Sequence, residues 1–367
     1  MKYMKVYRSY KVKLYPNKAQ EQELLKILGG CRFVWNHFLA LSRDYYLEHK
    51  KTLKYFEMSR QLTQLRKTAP ELSGLQLSAL SQSLRRLHVA YNRFLRRKSN
   101  FPRFKSYFDS KQSFQKPKDW KIVNGKISVQ GGLVLKCRGN LPKEGRTLII
   151  SYQAGKWFAS ILTEEEIKVP KKHSKPIGID VGLSSLAIVS NGDKYNVPSG
   201  FLEKQLALLQ RKLARQEIRS KRRAETRNKI ARLYQRIANK RLDTIHKTTD
   251  TILAKNPSLV ATETLHVKGM MRNHKLARSI GNASWGEFFR QIDYKTKWRG
   301  GEVVKVDRFF PSSKTCHKCF FVADKLPLEI REWDCPQCGT HHDREVNAAK
   351  VILLQGQGMP RAESVIG

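Results

Sequence analysis

The spacing of apolar residues changes along the chain and divides it into segments with different predicted structures. Alternating Val and Tyr residues over Val6–Asn17 predict a first strand. From Lys18 to about Lys98, apolar residues recur every three or four positions, which predicts a module of several helices. Alternation resumes over Trp120–Thr163, where an Asn-Gly pair predicts a hairpin within a meander of strands. The first part of the chain therefore combines strands with an intervening helical module.

A second pattern begins at about Pro176, after the basic linker KVPKKHSKP. The segment IGIDVGLSSLAIVSNG predicts two adjacent strands, the first apolar throughout except for Asp180. One long helical stretch is predicted over Phe201–Lys255, followed by the apolar strands PSLVATETL and GGEVVKVDRFF. The last pattern predicts a helix with Asp343 as its N-cap. Strands that alternate with helices in this way predict an α/β domain.

The charge of the chain points to a polyanionic partner. Lys and Arg number 71 against 31 Asp and Glu, which gives a net charge of +40 over 367 residues. Such an excess opposes a compact state unless a polyanion neutralises it, so nucleic acid is the expected partner. An anionic membrane surface and a ribosomal-type basic protein without chemistry are the alternatives. There is no apolar run of 18 residues, and no signal peptide precedes Tyr10, so we expect a soluble cytoplasmic protein that does not enter a membrane.

One part of the predicted long helical stretch is strongly basic. Between Arg211 and Arg241 there are thirteen Lys or Arg residues, against Glu217 and Glu225 as the acids. A solvated helix face is one interpretation, but pairing at i and i+4 cannot balance thirteen charges with two. A track for phosphates is favoured. Its expected contacts are Arg211, Arg215, Arg222, Arg223 and Arg227.

Four of the six cysteines form a metal-binding pattern. Cys316 and Cys319 make one C-x2-C pair, and Cys335 and Cys338 make another after fifteen intervening residues. This spacing is typical of a zinc ribbon, and four thiolates leave no open position, so the zinc is predicted to be structural. Two disulfides are the alternative, which the lack of a secretion signal disfavours.

Carboxylates occur at three places in the predicted α/β domain, and each of them could have a separate structural explanation. Asp180 interrupts an apolar strand, Glu263 lies in another, and Asp343 and Glu345 begin a helix. Separately, they could be a strand-end charge, a solvated side chain and a helix cap. Together, they match the need of two-metal phosphodiester hydrolysis for acids from separate elements, which would hold Mg²⁺ or Mn²⁺.

Several motifs in combination resemble the TnpB family of transposon-encoded proteins, which are relatives of type V CRISPR nucleases. They are YPNKAQEQELLKILGGCRFVWNHFLA, FPRFKS, IGIDVGLSSLAIVSNG, LQRKLARQ, ETLHVKGMMRN, FFPSSKTCHKC and REWDCPQCGTHHDREVNAAK, and they cover nearly the whole chain. The resemblance implies an RNA-guided DNA endonuclease. Its guide RNA would come from the transposon end, and it would cut double-stranded target DNA beside a short adjacent motif, with one RuvC site. A prokaryotic, nucleoid-associated location is expected.

The resemblance also implies an α/β multidomain fold. A RuvC, or ribonuclease-H-like, nuclease domain would contain an inserted zinc ribbon, and an N-terminal wedge β-barrel would carry a helical recognition insert. The expected boundaries are 1–16 for the first wedge strand, 17–100 for the helical recognition module, 101–170 for the rest of the wedge barrel, 171–312 for RuvC, 313–341 for the zinc ribbon, 342–356 for the last RuvC helix and 357–367 for a C-terminal tail.

One position departs from the family pattern. The last motif of the family reads D-R-D-x-N-A-A, and its second Asp is the third metal ligand, whereas this chain has Glu345 there. We expect Asp180, Glu263 and Glu345 to bind magnesium, with Asp343 as the substitute for Glu345. A weakened protein that binds DNA as an RNA-guided repressor is the alternative, and a transposase acting alone is a third reading. Gln82 is a candidate reader of the adjacent motif, because an amide can pair with an adenine edge.

Overall fold

The computed structural model describes residues 2–109, 111–129, 131–197, 201–327 and 329–358. The chain divides into two compact units, the first comprising residues 5–165 and the second comprising the described residues from 166 onward together with 2–4. Most of the tail predicted at 357–367 lies outside the described residues. No helix within the described ranges is both long and apolar enough to cross a membrane.

The first unit consists of helices and an antiparallel sheet. Its strands are β1 (Tyr3–Tyr15), β2 (Lys111–Lys116), β3 (Trp120–Val123), β4 (Lys126–Val129), β5 (Leu133–Arg138), β6 (Thr147–Gln153) and β7 (Lys156–Lys168), of which β1 and β7 extend slightly into the second unit. Its helices are α1 (Lys18–His49), α2 (Tyr55–Thr68) and α3 (Leu77–Leu95), with a 3₁₀ turn at Pro70–Leu72.

The long helix α1 begins at a capping box. The side chain of Asn17 accepts a hydrogen bond from the Gln20 N–H at 2.8 Å, and the Gln20 side chain accepts one from the Asn17 N–H at 3.0 Å. Apolar residues of α1 and α3 then pack with inward-facing residues of the sheet in one continuous core. The helices predicted by three- and four-residue spacing therefore share their core with the strands predicted by alternation.

The seven strands of the first unit run in the order β2-β6-β7-β1-β5-β4-β3. The hairpin predicted at the Asn-Gly pair joins β3 to β4, with Val123 opposite Lys126 and positive φ angles at Asn124 and Gly125. β2 and β3 are the end strands, and no ladder joins them within the described residues.

The second unit contains a mixed sheet and six helices within the described residues. Its strands are β8 (Ile177–Asp180), β9 (Ser185–Val189), β10 (Lys194–Asn196), β11 (Leu259–Glu263), β12 (Glu302–Val306), β13 (Glu332–Asp334) and β14 (His341–Asp343). Its helices are α4 (Phe201–Ala214), α5 (Lys221–Ile252), α6 (Val267–Met270), α7 (Ala277–Ala283), α8 (Trp285–Trp298) and α9 (Arg344–Gly356).

The larger sheet of this unit has the order β10-β9-β8-β11-β12. β8, β11 and β12 are parallel to one another, whereas β9 is antiparallel to β8 and β10 is antiparallel to β9. Residues of β8, β9 and β11 pack with α5 and α8 in one core, while Ala261, Val306 and Ile352 form a second core with α9. Helices therefore cover both faces of the parallel part, as buried parallel strands require.

The helical stretch predicted over Phe201–Lys255 is divided into two helices in the structure. α4 ends at Ala214, and α5 begins after Ser220, whose side chain accepts a hydrogen bond from the Arg223 N–H at 3.1 Å. Arg219 has a φ of 75°, which no α-helix accommodates. The chain turns back at this point, and Gln210 on α4 donates to the Tyr234 hydroxyl on α5 at 3.0 Å.

Candidate active site and nucleic-acid surfaces

Asp180 and Glu263 lie side by side at the ends of two adjacent parallel strands. In the ladder between β8 and β11, Thr262 is opposite Ile179, so the next position along each strand brings the two acids together. The backbone N–H of Val181 acts on both carboxylates and opposes the rise in their pKa values. Neighbouring parallel strands therefore deliver two acids to one point at the carboxyl edge of the sheet, where ligands of α/β sheets bind.

The charges of these acids oppose one another. Burial, followed by the charges of Glu263 and Glu345, raises the pKa of Asp180 well above its usual value. Burial also raises the pKa of Glu263 to about 7, although the Val181 N–H acts in the opposite direction. Both side chains retain partial access to solvent. Without a cation, the site is therefore expected to retain protons near neutral pH, and a divalent ion would displace them.

Glu345 comes from a third element, the first turn of α9. Its position depends on the packing of α9 against β8, where a side-chain carbon built on Gly178 would overlap the backbone oxygen of Ala349. The Glu345 carboxylate accepts hydrogen bonds from the Ser184 hydroxyl at 3.3 Å and from Arg331 at 3.1 Å. The glutamate thus reaches towards Asp180 closely enough to affect its charge, while it is also held by an arginine.

Asp343 has a different set of partners. As the N-cap of α9, its carboxylate accepts hydrogen bonds from the N–H groups of Glu345 and Val346, both at 3.0 Å. Lys194 on β10 forms an ion pair with its other oxygen at 2.6 Å. Burial opposes ionisation, but the Lys194 hydrogen bond and the helix N–H groups together lower the pKa of Asp343. Its carboxylate is therefore ionised, capped and paired.

The donor set of the three acids fits a hard divalent cation. Carboxylate oxygens from Asp180, Glu263 and Glu345 are the ligands that Mg²⁺ and Mn²⁺ prefer, and their mutual repulsion is what a cation relieves. Within the described residues they are not gathered as tightly as the cysteines discussed next.

The four predicted zinc ligands meet in one cluster. The sulfurs of Cys316, Cys319, Cys335 and Cys338 all lie within 4.8 Å of one another. Cys316 and Cys338 are 3.7 Å apart, and Cys319 and Cys335 are 3.5 Å apart, whereas a disulfide needs about 2.05 Å. Zinc–sulfur bonds of about 2.3 Å in a tetrahedron place the sulfurs nearly 3.8 Å apart. The geometry fits zinc and disfavours the disulfide alternative.

The cysteine cluster is attached directly to α9. Asn347, which is buried in α9, accepts hydrogen bonds from the backbone N–H of His317 at 3.0 Å and donates to the Thr315 carbonyl at 2.7 Å. His342 is buried against the cluster, with its Nε2 3.1 Å from the Cys316 sulfur. The β14 strand then ends at Asp343, where α9 begins. The cysteine cluster and the third acid therefore share one rigid connection.

The predicted nucleic-acid contacts divide into two groups. Arg211, Arg215, Arg222 and Arg227 are exposed on α4, α5 or the turn between them. Arg223 is half-buried instead, and its guanidinium donates to the carbonyls of Leu213 and Gln216 at 2.6 and 2.7 Å. It closes the turn between the helices. Gln82 lies half-buried on α3, one turn before Arg86.

Four residues of the site escaped the sequence reasoning. Asn347 and His342 hold the cysteine cluster, Lys194 pairs with Asp343, and Ser184 contacts Glu345. Asn347 had a recognisable signal, because a polar residue between the apolar positions of a packed helix needs a partner. Ser184 and Lys194 gave no recognisable signal in the sequence, because each contacts a residue more than 140 positions away along the chain.

Three family models match this chain. Residues 4–51 match a helix-turn-helix domain, residues 160–274 match a family described as "Probable transposase", and residues 285–352 match a "Cas12f1-like, TNB domain". The last match includes all four cysteines, Asp343 and Glu345, and the second includes Asp180 and Glu263.

Two relatives match over nearly the whole chain. A protein of Streptomyces pristinaespiralis, named "Putative RNA-guided DNA endonuclease", is 36% identical over 96% of this chain and 90% of its own length. A protein of Escherichia coli K12, named "Putative RNA-guided DNA endonuclease InsQ", is 32% identical over 97% of this chain and 94% of its own length.

The fold also matches a solved structure. A cryo-electron microscopy structure of a Cas12f1–sgRNA–target DNA complex aligns with 95% of this chain and 98% of its own, at a TM-score of 0.61 and 14% identity. This likeness confirms the predicted α/β multidomain fold.

Proposed function

Because the chain belongs to the TnpB family, we propose that it is an RNA-guided DNA endonuclease that cleaves double-stranded DNA beside a short adjacent motif. The observation that carries the proposal is the convergence of Asp180, Glu263 and Glu345 from two strands and a helix, where burial, followed by the charges of Glu263 and Glu345, raises the pKa of Asp180. The three acids would hold Mg²⁺ or Mn²⁺. Structural zinc would occupy the four cysteines.

The three acids would act together in this proposal. Asp180, whose charge couples to both of the others, would hold the divalent ions together with Glu263 and Glu345. The Ser184 hydroxyl orients the Glu345 carboxylate. When bound, the divalent ions supply activation of water and stabilisation of the leaving oxygen.

The remaining parts of the chain would serve the nucleic acids. The exposed arginines of α4 and α5 would neutralise phosphates of a guide RNA derived from the transposon end, and Gln82 would read the adjacent DNA motif. The domain boundaries expected from the resemblance remain part of this proposal. A protein that acts on chromosomal DNA would be found at the nucleoid of a prokaryotic cell.

The proposal is tested by reconstituting the protein with its guide RNA and a matching DNA duplex. We expect cleavage in Mg²⁺ or Mn²⁺ and none with EDTA. Asp180→Asn should abolish cleavage while leaving RNA and target binding intact. Asp293→Asn, which alters an exposed acid paired with Lys297 on α8, serves as the matched control. Cleavage that survives Asp180→Asn would refute the assignment.

A second function is favoured by one observation. The Oε1 atom of Glu345 accepts a hydrogen bond from Arg331, and this contact competes with a metal ion for that oxygen. A protein with its third acid held in this way would bind guide and target without cutting, as a repressor. The reconstituted wild-type protein distinguishes the two functions. A repressor would bind the duplex and leave it intact, whereas an endonuclease would cut it.

A further inference from the structure

A small cavity in the first unit is surrounded by positive charge. It has a volume of about 200 Å³ and lies among α1, α3, the start of β2 and the loop before it. We call it the basic pocket; its charged lining is Arg32, Arg86, Arg103, Lys105, Lys111 and Asp109. Arg103 pairs with Asp109 at 3.4 Å, and within the described residues the other four cations have no carboxylate partner. The pocket therefore carries an uncompensated positive charge.

The loop that supplies two of these cations is held in place by α1. The Trp35 indole N–H donates to the Arg103 carbonyl at 3.0 Å. The Asn36 side chain accepts from the Lys105 N–H at 2.8 Å and donates to the Lys105 carbonyl at 2.9 Å. Three hydrogen bonds thus fix the backbone on which the cations stand. A site fixed in advance loses less entropy when it binds a ligand.

The Lys105 ammonium lies in an unfavourable position for a lone cation. It is 3.8 Å from the centre of the Trp35 ring, which provides some cation–π stabilisation. Burial, followed by the nearby charge of Arg86, lowers its pKa to about 8. A loop that served only to connect elements would gain from a neutral residue here. An anion in the pocket would reverse the penalty.

Exposed aromatic rings stand beside the pocket. Tyr107 and Phe108 are 60% and 73% exposed, and the guanidinium of Arg32 lies 5.5 Å from the Tyr107 ring centre. Cations that follow a backbone, next to rings on which bases stack, are the combination used by proteins that bind single strands of nucleic acid. A free phosphate ion has no base that could stack on these rings.

We propose that the basic pocket binds one phosphodiester of a single nucleic-acid strand, whose neighbouring base stacks on Tyr107 or Phe108. The cavity is several times the volume of about 30 Å³ that one water occupies in the liquid, so it has room for a phosphate group. This inference rests on the proposed function, because it adds a contact for either the guide RNA or the separated DNA strand. The phosphodiester is the chemistry that both share.

The experiment uses the full chain and two labelled probes, oligouridine and oligodeoxythymidine, with affinity followed by fluorescence anisotropy across a salt series. Arg86→Gln combined with Lys105→Met removes two pocket charges. Arg60→Gln combined with Lys67→Met removes two exposed charges from α2 and is the matched control. We expect the pocket variant to lose affinity about tenfold and its logarithmic salt slope to become shallower by about 0.7 per lost phosphate contact, with the control near wild type.

Two further variants keep the test independent of folding. Arg86→Gln alone changes an exposed side chain and should give part of the loss, while Lys105→Arg should retain the wild-type salt slope. Tyr107→Ala should weaken binding roughly tenfold with little change in salt slope, because stacking is not ionic.

The outcomes also distinguish guide RNA from target DNA as the bound strand, and they test the pocket separately from the proposed endonuclease function. A loss with oligouridine assigns the pocket to the guide, a loss with oligodeoxythymidine assigns it to target DNA, and an equal loss assigns it to the shared backbone. Unchanged affinity and slope with both probes would overturn the inference, even if the wild type cleaves DNA. If the wild type does not cleave but strand binding depends on the pocket, the inference stands and the proposed function fails.

Discussion

Asp180 and Glu263 lie next to each other at the ends of adjacent parallel strands, one position beyond the paired residues Ile179 and Thr262. Burial raises the pKa of both carboxyl groups, and the charges of Glu263 and Glu345 add to the rise at Asp180. The negative charge of the ionised acids therefore has to be balanced by protons or by cations. A bound divalent ion would offset the free-energy cost of keeping these carboxylates ionised.

Replacing Glu263 with Gln should stabilise the metal-free protein at pH 8. The pKa of Glu263 is raised from 4.5 to about 7, so between these values the folded state binds more protons than the unfolded state. The free energy of unfolding therefore falls as pH rises through this window. At pH 8, Glu263→Gln should raise the free energy of unfolding by on the order of 2 kcal/mol, measured by thermal unfolding in EDTA.

The same series contains its own controls. Glu302→Gln, at an exposed position of β12, should leave the pH dependence unchanged. Added Mg²⁺ should raise the melting temperature of the wild type at pH 8 more than that of Glu263→Gln. If Glu263→Gln melted below the wild type at pH 8, the argument from the burial of the ionised Glu263 carboxylate would be contradicted.

Glu345 and Asp343 are expected to respond differently to truncation. Glu345→Ala should abolish cleavage as fully as the loss of Asp180, with guide and target binding retained. Asp343→Ala should mainly remove the α9 cap and the Lys194 ion pair, at a cost of about 1 kcal/mol of stability. Cleavage rates and melting temperatures of both variants decide the matter, and the reverse pattern would make Asp343 the ligand.

Shortening Glu345 tests whether the longer side chain is a compromise. Glu345→Asp restores the family residue and withdraws the carboxylate from Arg331, so it should raise the cleavage rate if the reach of Glu limits catalysis. Arg331→Gln removes the competing contact without changing the acid. If the wild type already cleaves rapidly and neither variant is faster, the site has adapted to glutamate.

The cysteine cluster should behave as a structural zinc site. Purified protein is expected to contain one zinc per chain, measured by elemental analysis. Cys335→Ser should lower zinc content and melting temperature together, because Cys335 lies buried in the cluster. Cys137→Ser, which changes a thiol outside the cluster, is the control. A metal-free protein that stays folded and fully active would rule out this role.

Asn347 should couple the zinc cluster to α9. Asn347→Ala leaves the His317 N–H and the Thr315 carbonyl without their partner, which should cost about 2 kcal/mol. We expect a lower melting temperature and faster loss of zinc to a chelator. Asn228→Ala, at an exposed position of α5, should change neither property. Wild-type zinc retention in Asn347→Ala would disprove the coupling.

Arg222 and Arg223 are neighbours in sequence with opposite expected roles. Arg222→Ala should weaken guide RNA binding and make the salt slope shallower by about 0.7, with unchanged stability. Arg223→Ala should lower stability, because its guanidinium holds the carbonyls of Leu213 and Gln216. Anisotropy titrations and thermal unfolding of the two variants make the comparison. If Arg222→Ala and Arg223→Ala weakened RNA binding equally, the two arginines would not have the different roles expected here.

The sequence carried the parts of this site that depend on local spacing. Two pairs of cysteines predicted a metal cluster because each pair needs only one tight turn, and the apolar strand around Asp180 marked that acid as unusual. The adjacency of Asp180 and Glu263 was not predictable, since it depends on the register that places Thr262 opposite Ile179. The same holds for Arg223, whose structural contact exists only because α4 and α5 turn back on each other.

The close approach of Gly178 to the backbone of Ala349 has a consequence for how related sequences can vary in length. Glu345 lies one helical turn before Ala349, and a residue inserted between them would rotate the carboxylate by about 100° around α9. Residues inserted between the two cysteine pairs would instead lengthen a surface connection. Homologous sequences should therefore differ in length between the two cysteine pairs. The number of residues between the positions of Glu345 and Ala349 should stay constant.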